Sequence, residues 1–254
     1  MKLFNRKYPN GLVLSGGAAR GIAHLGVIEA MLEKNIEISI ISGVSAGSIA
    51  GAFFLDGYHP REIFDFFANK KLYKLIRISF PKSGFFKIEG LRKILKTNLR
   101  TKNIEDLDKP LIIAATNYQK AKIEYFDKGP LIDIVLASSS IPVLFESQRI
   151  NEFTYIDGGI MDNLPVHPLL NRCKKIIGVH VNPIGDVKPP ANPWQVAERS
   201  FHMAVASEIH RKQEQLDIFI EPAELMKFGL LDLRKAEEIY KIGYNAGINA
   251  LNSS

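Results

Sequence analysis

The sequence predicts a three-layer α/β/α fold with a mainly parallel central sheet. Short runs of apolar, often β-branched residues alternate along the chain with longer segments whose apolar residues recur at helical spacing. Glycine-rich turns join the first two of these runs to the segments that follow them. A strand needs a crossover to reach a parallel neighbour, so this order favours a parallel sheet with helices on both faces.

Two strand–helix units are predicted in the first 60 residues. Residues 11–14 predict a strand, and residues 20–33 place apolar side chains near helical spacing. Residues 36–41 form a β-branched run, and residues 49–55 continue as an apolar helix. Each glycine turn therefore lies where a strand passes into a helix.

In the rest of the chain, predicted strands and helices alternate less regularly. Strands are predicted at residues 111–116, 122–126, 153–156, 175–181 and 217–221, a short helix at 131–138, and closing helices at about 195–213 and 233–251. No clean linker separates two parts of the chain. We therefore expect a single domain over residues 1–254, with its motifs between about residues 11 and 181.

The stretch at residues 64–77, within a region suited to a lid or specificity segment, is both basic and aromatic. One interpretation is an amphipathic helix whose apolar side is buried, and we favour it because such helices are routine in soluble proteins. The other is a membrane-surface patch, with Phe and Leu in the interface and Lys and Arg at anionic headgroups.

The composition narrows the class of protein. With 46% hydrophobic and 24% charged residues, the chain is not disordered. The net charge of +6 is compatible with an anionic membrane surface, but no nucleic-acid motif accompanies it, so nucleic acid is not an expected partner. The single cysteine, Cys173, excludes an intrachain disulfide and a cysteine-based zinc site.

Hydrophobic runs long enough to cross a membrane are missing from the sequence. A spanning helix needs roughly 18 consecutive apolar residues. The apolar run at residues 12–14 is also much shorter than the roughly 7–15 residues of a signal peptide. We expect a cytoplasmic protein whose membrane contact is peripheral, at the inner surface.

The segment Gly43-Val44-Ser45-Ala46-Gly47 is a G-x-S-x-G turn between a predicted strand and a predicted helix. Flanking glycines allow a sharp turn, which projects the serine hydroxyl from the edge of the sheet. The start of the helix also carries partial positive charge, which favours developing negative charge. The context predicts that Ser45 is a nucleophile.

The glycine-rich turn at residues 15–21 also lies between a strand and a helix. Successive amides in such a turn form a donor set for an anion, as in an oxyanion hole. A dinucleotide-binding turn is the competing interpretation, because Gly16-x-Ala18-x-x-Gly21 is one residue from G-x-G-x-x-G. That alternative expects a carboxylate at the end of the second strand, which here ends Ile41-Ser42-Gly43. A tight turn without a ligand is the third interpretation.

The segment Asp157-Gly158-Gly159 follows a predicted strand. Its functional interpretation is a base that orients or deprotonates Ser45. Taken alone, an Asp-Gly pair is a common turn. Without the other two motifs, we would interpret Asp157-Gly158 as such a turn and not as a catalytic site.

Four blocks of the sequence resemble the patatin-like phospholipases in order and spacing. Residues 14–27 resemble the opening signature of that family, and residues 43–47 resemble its nucleophile elbow. Residues 137–145 are similar to its serine- and proline-containing stretch, and residues 157–166 resemble its aspartate block. The resemblance covers about residues 11–181.

The resemblance implies a catalytic dyad of Ser45 and Asp157 in a three-layer α/β/α fold. Ser45 would attack an ester carbonyl while Asp157 takes its proton, and water would release the acyl group. This chemistry needs no metal or organic cofactor. The glycines of the two turns, Gly43 with Gly47 and then Gly158 with Gly159, would shape the elbow and the aspartate block.

The resemblance also assigns an oxyanion loop. The amides of Gly16, Gly17 and Ala18 would hold the oxyanion, Gly21 would close the loop, and Arg20 would brace it or meet a phosphate. The family usually has a third glycine where this chain has Ala18. Alanine still donates its N–H but disfavours a positive φ, so a loop that needs this conformation would work less well or select other substrates.

A Ser-His-Asp triad is the rival arrangement among hydrolases, with His202 or His210 in the chain order of an α/β-hydrolase. The serine elbow follows only the second predicted strand, earlier than in that fold. His24 follows the glycine loop and is expected to fix it. No histidine spacing is typical of a metal site, so none is expected.

The expected function is that of a serine-dependent lipid acyl hydrolase, of phospholipase A or lysophospholipase type, acting on phospholipid or other lipid esters. An acyltransferase would use the same acyl-enzyme and an acceptor other than water. A lipid-binding or regulatory protein with little turnover is the alternative outside enzymes, and the Ala18 departure keeps it open.

Overall fold

A computed structural model describes residues 7–68, 88–142, 144–186, 189–190, 193–206, 208–229 and 232–253. The strands are β1 (Tyr8–Leu14), β2 (Ile40–Val44), β3 (Leu111–Asn117), β4 (Lys122–Phe126), β5 (Gln148–Ile150), β6 (Phe153–Asp157), β7 (Cys173–Val179) and β8 (Ile218–Ile220). The helices are α1 (Ile22–Glu33), α2 (Ala46–Leu55), α3 (Pro60–Ala68), α4 (Glu89–Asn98), α5 (Leu131–Ser138), α6 (Pro193–Ala206), α7 (Ile209–Gln213) and α8 (Ala236–Asn252). Within these ranges no helix is both long and apolar enough to cross a bilayer.

The strands of the described residues form one eight-stranded sheet, in the order β5-β6-β3-β2-β1-β7-β8, with β4 beside β3. Pairing is parallel from β3 through β2, β1 and β7 to β8. It is antiparallel where β3 meets β4 and β6, and where β5 meets β6. The predicted α/β fold with a mainly parallel sheet is therefore confirmed, with an antiparallel extension at one side.

The two faces of the sheet are covered by different parts of the chain. Leu12 and Leu14 of β1 belong to the larger core, which also holds buried residues of α1, α2, α3, α5 and α8. Val13, between them, belongs to a smaller core with Leu164, Leu169 and other residues. Alternate residues of a strand point to opposite faces, so the sheet separates a helical layer from a thinner layer of 3₁₀ turns and α7.

Helix α8 packs closely against α1. A Cβ atom on Gly243 would lie 2.1 Å from the backbone oxygen of Ala23, and one on Gly26 would lie 2.2 Å from the backbone oxygen of Tyr240. Backbone atoms cannot move aside as a flexible side chain does. These glycines therefore let the last helix complete the core that the first strand–helix unit begins.

Several predicted boundaries differ from the structure. The second strand begins at Ile40 instead of residue 36 and continues through Gly43 to Val44, because its register with β1 and β3 covers these residues. The helix predicted at 195–213 is divided into α6 and α7. Strand β5 and helix α4 were not predicted. Strand β5 has only three residues and depends on pairing with β6, which no local pattern reveals.

The basic aromatic stretch is described only in its first part. Helix α3 covers Pro60–Ala68 of the described residues, and its buried residues include Ile63 and Phe64. That burial agrees with an amphipathic helix whose apolar side faces the core. Residues 69–77 of the stretch lie outside the described residues.

Candidate active site

Strand β3 brings Ser45 and Asp157 together. Val44, the last residue of β2, is paired with Ala114, while Asp157, the last residue of β6, is paired with the next residue, Ala115. Strand β4 occupies the opposite edge of β3 over residues 113–117. The C-terminal ends of β2 and β6 therefore meet on the same edge of β3, pointing toward each other, and Ser45 follows directly from β2.

Ser45 occupies a strained turn between β2 and α2. Its backbone has φ 50° and ψ −121°, a conformation that residues with a side chain rarely adopt. Gly43 and Gly47 flank it, as predicted. A Cβ atom on Gly47 would lie 2.3 Å from the backbone oxygen of Leu14, so the turn can sit against β1 only because this position is glycine. Such a turn places the serine hydroxyl at the start of a helix, and here Ser45 is buried there.

The backbone around Ser45 is fixed by two other serines. The Ser45 N–H donates to the Oγ of Ser138 at 2.8 Å, and that hydroxyl donates to the Ala114 carbonyl at 2.7 Å. The Ser48 hydroxyl donates to the Ser45 carbonyl at 2.7 Å. These bonds tie the elbow to α5 and β3. Sequence reasoning did not single out Ser138, although the block at residues 137–145 contains it.

Asp157 is a buried carboxyl that accepts a hydrogen bond from the Gly159 N–H at 2.7 Å. The Ser45 side chain interacts with the same carboxyl. Burial raises the pKa of Asp157 from 3.8 to about 6, while the interactions with Ser45 and Gly159 act in the opposite direction. The carboxyl is therefore ionised at neutral pH and still basic enough to receive a proton.

The segment after α5 positions the aspartate as well as the serine. The Asp157 N–H donates to the Ser140 carbonyl at 2.9 Å, and the Thr116 hydroxyl donates to the Asp157 carbonyl at 2.9 Å. Ser138 and Ser140, two residues apart, thus hold the two dyad residues by their backbone amides. This gives a structural role to the serine-containing stretch found in the sequence.

The glycines of the aspartate block allow a close backbone approach. A Cβ atom on Gly158 would lie 2.3 Å from the Ala114 carbonyl oxygen. A Cβ atom on Gly159 would lie 2.7 Å from the Asn163 Oδ1 atom. Both positions are therefore packed against the site, and the 3₁₀ turn Gly158–Ile160 begins directly at the aspartate.

The loop between β1 and α1 lies beside Ser45. A Cβ atom on Gly16 would be 3.2 Å from the Ser45 Cβ. Within the described part of the chain, the amides of Gly16, Gly17 and Ala18 donate to no protein acceptor. Three neighbouring donors without a partner beside the hydroxyl suit an oxyanion hole. Ala18 has φ 46°, so this loop does require the conformation that alanine disfavours.

Three buried side chains support the loop from behind. The His24 Nε2–H donates to the Ser15 carbonyl at 2.8 Å, and the Asn182 amide donates to the Gly16 carbonyl at 2.7 Å. The Ser15 hydroxyl accepts from the Val181 N–H at 3.1 Å. Burial lowers the pKa of His24 to about 4, so its ring is neutral at physiological pH. His24 thus contacts the loop as expected, while Asn182 was not predicted.

Arg20 and Gly21 form the far side of the loop. The Arg20 Nε–H donates to the Phe228 carbonyl at 2.8 Å, and only 7% of Arg20 is exposed. This contact with the C-terminal part of the chain supports bracing, the first of the two roles considered for Arg20. A Cβ atom on Gly21 would lie 2.3 Å from the Ala46 Cβ, so the loop packs directly on the helix that follows Ser45.

The described residues give no support to a Ser-His-Asp triad. The Asp157 carboxyl interacts with the Ser45 side chain itself, without a histidine between them. His210 is exposed on α7, whose Ile209 packs on the opposite face of the sheet from α2. The His202 side chain lies outside the described residues. The arrangement therefore offers a serine, a carboxylate in direct contact and a set of amide donors.

Comparison with known sequences agrees with these motifs. The sequence profile described as patatin-like phospholipase matches residues 12–170. Lysophospholipase NTE1 of Kluyveromyces lactis is 27% identical over 269 residues, which cover 93% of this chain and 19% of that protein. Probable lipid hydrolase 463L of Invertebrate iridescent virus 6 is 34% identical over 184 residues, 63% of each chain. This chain thus spans only part of the relatives it matches.

Comparison with solved structures supports the fold. The crystal structure of VipD from Legionella pneumophila matches with a TM-score of 0.57, over 98% of this chain and 67% of that chain. The sequence identity is 18%. At this identity the likeness concerns the arrangement of strands and helices, and the chemistry has to be argued from the site itself.

Proposed function

This chain belongs to the patatin-like phospholipase family, and on that premise we propose that it is a serine-dependent lipid acyl hydrolase of phospholipase A or lysophospholipase type. The substrate would be a phospholipid, a lysophospholipid or another lipid ester. The similarity to lysophospholipase NTE1 of Kluyveromyces lactis supports this class of substrate. Such a substrate resides in membranes, so the enzyme would work in peripheral contact with a membrane surface.

The proposed reaction has two steps. In the first, the Ser45 Oγ attacks the ester carbonyl carbon while its proton passes to the Asp157 carboxylate, and the amides of the oxyanion loop stabilise the negative oxygen. The alcohol leaves with a proton from Asp157. In the second, water attacks the acyl carbonyl carbon while its proton passes to Asp157. The bond to the Ser45 Oγ then breaks, the Oγ takes that proton back from Asp157, and the fatty acid is released.

One observation carries the proposal, namely that the Ser45 side chain lies beside the buried Asp157 carboxyl and interacts with it. A general base must lie within hydrogen-bond reach of the proton it removes. The elevated pKa of Asp157 supports the same role, because a carboxylate with a pKa of about 6 accepts a proton more readily than an ordinary one. The free amides beside Ser45 supply the third part of the mechanism.

The test is hydrolysis of short p-nitrophenyl esters by the purified protein and its variants. Ser45→Ala and Asp157→Asn should each lower kcat/KM by at least about 1,000-fold, as expected for members of a catalytic unit. Ser45→Ala should also abolish labelling by a fluorophosphonate probe. Circular dichroism of each variant checks that it is folded.

Two matched variants serve as controls for this test. Ser200 and Asp127 are exposed, and Ser200→Ala and Asp127→Asn repeat the two changes away from the site. Both should retain wild-type turnover and probe labelling. If Ser45→Ala kept wild-type activity, Ser45 would not be the nucleophile and the proposal would be wrong.

The same assay distinguishes the alternatives. An acyltransferase would transfer the acyl group to added glycerol or lysophospholipid, so the product would depend on the acceptor. A lipid-binding protein with little turnover would bind lipid vesicles and leave every ester intact. Free fatty acid as the main product, with or without an acceptor, is the result expected for a hydrolase.

A further inference from the structure

An apolar groove leads away from the oxyanion loop. It lies between α1, α2 and α3 and is open to solvent. All ten of the described residues that line it are apolar. No charged or polar side chain is among those lining residues, so the groove suits a hydrocarbon and not a headgroup.

Each helix presents one face to the groove. Helix α2 contributes Ala46, Ile49 and Ala50, and α3 contributes Ile63 and Phe67. Residues three or four apart lie on the same face of a helix, so these side chains form continuous walls. Ala50 and Ile63 are 4% and 1% exposed, which places them deep in the groove, while Ile49 and Phe67 are only partly buried.

The groove begins at the reacting atoms. Ala18 belongs to the oxyanion loop and Ala46 follows Ser45, and both residues line the groove. An ester carbonyl held by the loop amides and attacked by Ser45 would therefore have the groove beside it. The methyl group of Ala18 adds apolar surface where a glycine would leave none.

We infer that this groove binds the acyl chain of the ester that Ser45 attacks, and that Ala50 and Ile49 set the accepted chain length. The inference rests on the proposed function and deepens it. The other part of a phospholipid carries a charged phosphate, which would be left without partners among apolar side chains. The acyl chain loses nothing there and gains from burial.

The first test measures kcat/KM against acyl chain length, with soluble p-nitrophenyl esters from acetate to octanoate. Each methylene that enters the groove should raise kcat/KM of the wild type roughly fourfold. Ala50→Leu should fill the groove, lower kcat/KM for octanoate at least tenfold and change that for acetate less than threefold. Ile49→Phe, at a half-buried position, should act in the same direction if Ala50→Leu does not fold.

A matched control repeats the change outside the groove. Ala223 is exposed and does not line the groove, so Ala223→Leu should keep the wild-type dependence on chain length. A parallel series varies the alcohol instead, from ethyl acetate to octyl acetate. If Ala50→Leu altered only the alcohol series, or neither series, the inference would be overturned.

Binding provides a readout that is independent of turnover. Decanoate is titrated calorimetrically into Ser45→Ala and into Ser45→Ala with Ala50→Leu. The second substitution should weaken binding at least tenfold, and equal binding would contradict the inference. A wild type that leaves p-nitrophenyl acetate intact would count against the proposed function, while the decanoate titration still decides whether the groove binds an acyl chain.

Discussion

At the scale of single residues, Asp157 combines two properties that oppose each other. Its burial favours the neutral acid, whereas its interactions with the Ser45 side chain and the Gly159 N–H favour the carboxylate. The balance raises the pKa to about 6 and leaves a base beside the hydroxyl it would deprotonate. A buried site tuned in this way is typical of catalytic carboxylates.

This pKa predicts the acid limb of the activity profile. Only ionised Asp157 can accept the proton of Ser45, so kcat/KM should be constant above pH 7 and fall about tenfold per pH unit below about pH 6. The measurement is kcat/KM for p-nitrophenyl acetate from pH 4.5 to 8.5. Circular dichroism over the same range shows whether the fold persists. A flat profile down to pH 4.5 would exclude Asp157 as the base.

The backbone conformation of Ala18 affects the stability of the protein. Its φ of 46° is unfavourable for alanine and free for glycine. Ala18→Gly should raise the free energy of unfolding by about 1 kcal/mol, because relief of about 1–2 kcal/mol of backbone strain exceeds the added entropy of the unfolded chain. Urea denaturation measures the change.

A control substitution in α8 should change the free energy of unfolding in the opposite direction. Ala246→Gly replaces a helical alanine and should lower the free energy of unfolding by about 1 kcal/mol. If both glycine variants lost stability equally, strain at Ala18 would not be the explanation.

At the scale of elements, the contact between α1 and α8 depends on glycine. Gly243→Ala would place a Cβ atom 2.1 Å from the Ala23 carbonyl oxygen, so the two helices would have to separate. Overpacking of this kind lowers the free energy of unfolding by about 1–3 kcal/mol. Thermal and urea denaturation should show this loss. Activity should fall with it, because α1 continues directly from the oxyanion loop.

The matched change at Gly229 tests the same argument. A Cβ atom there meets no atom within 4 Å. Gly229→Ala should therefore leave the free energy of unfolding unchanged or slightly raised. Similar losses at Gly229 and Gly243 would mean that close helix packing is not the cause.

At the scale of the whole molecule, the last helix shares a core with the first. The family profile ends at residue 170, yet Ile239 and Tyr240 of α8 are almost fully buried with α1 residues in the larger core. Arg20 of the oxyanion loop likewise bonds to the backbone of Phe228. We therefore propose that residues 1–254 fold as one unit.

Removal of residues 236–254 tests this proposal. Burial of Ile239 and Tyr240 contributes about 1.5–3 kcal/mol each, a large part of the roughly 5–15 kcal/mol that stabilises a domain. The shortened chain should lose its cooperative thermal transition and its near-UV circular dichroism. A chain that lacks only residues 252–254 should keep both. An unchanged transition in the shorter chain would show that α8 is dispensable.

How much the sequence predicted differs between the parts of the fold. The helix at residues 131–138 has the predicted bounds, and the hairpin of β3 and β4 was also predicted, because both depend on neighbouring residues. The second strand was placed too early, and β5 was missed. Their bounds depend on which distant strand supplies hydrogen-bond partners.

By itself, the sequence determined the family of this protein and the residues proposed to react, since the elbow, the glycine loop and the aspartate block are each contiguous. Only the tertiary structure decided what brings them together. The register of β3 sets the ends of β2 and β6 against each other, and Ser138 and Asn182 hold the site from distant parts of the chain. The apolar groove likewise forms only where three helices that are separate in the sequence pack together. Local motifs encode backbone conformation, whereas burial, pKa and cavities depend on contacts between residues far apart in sequence.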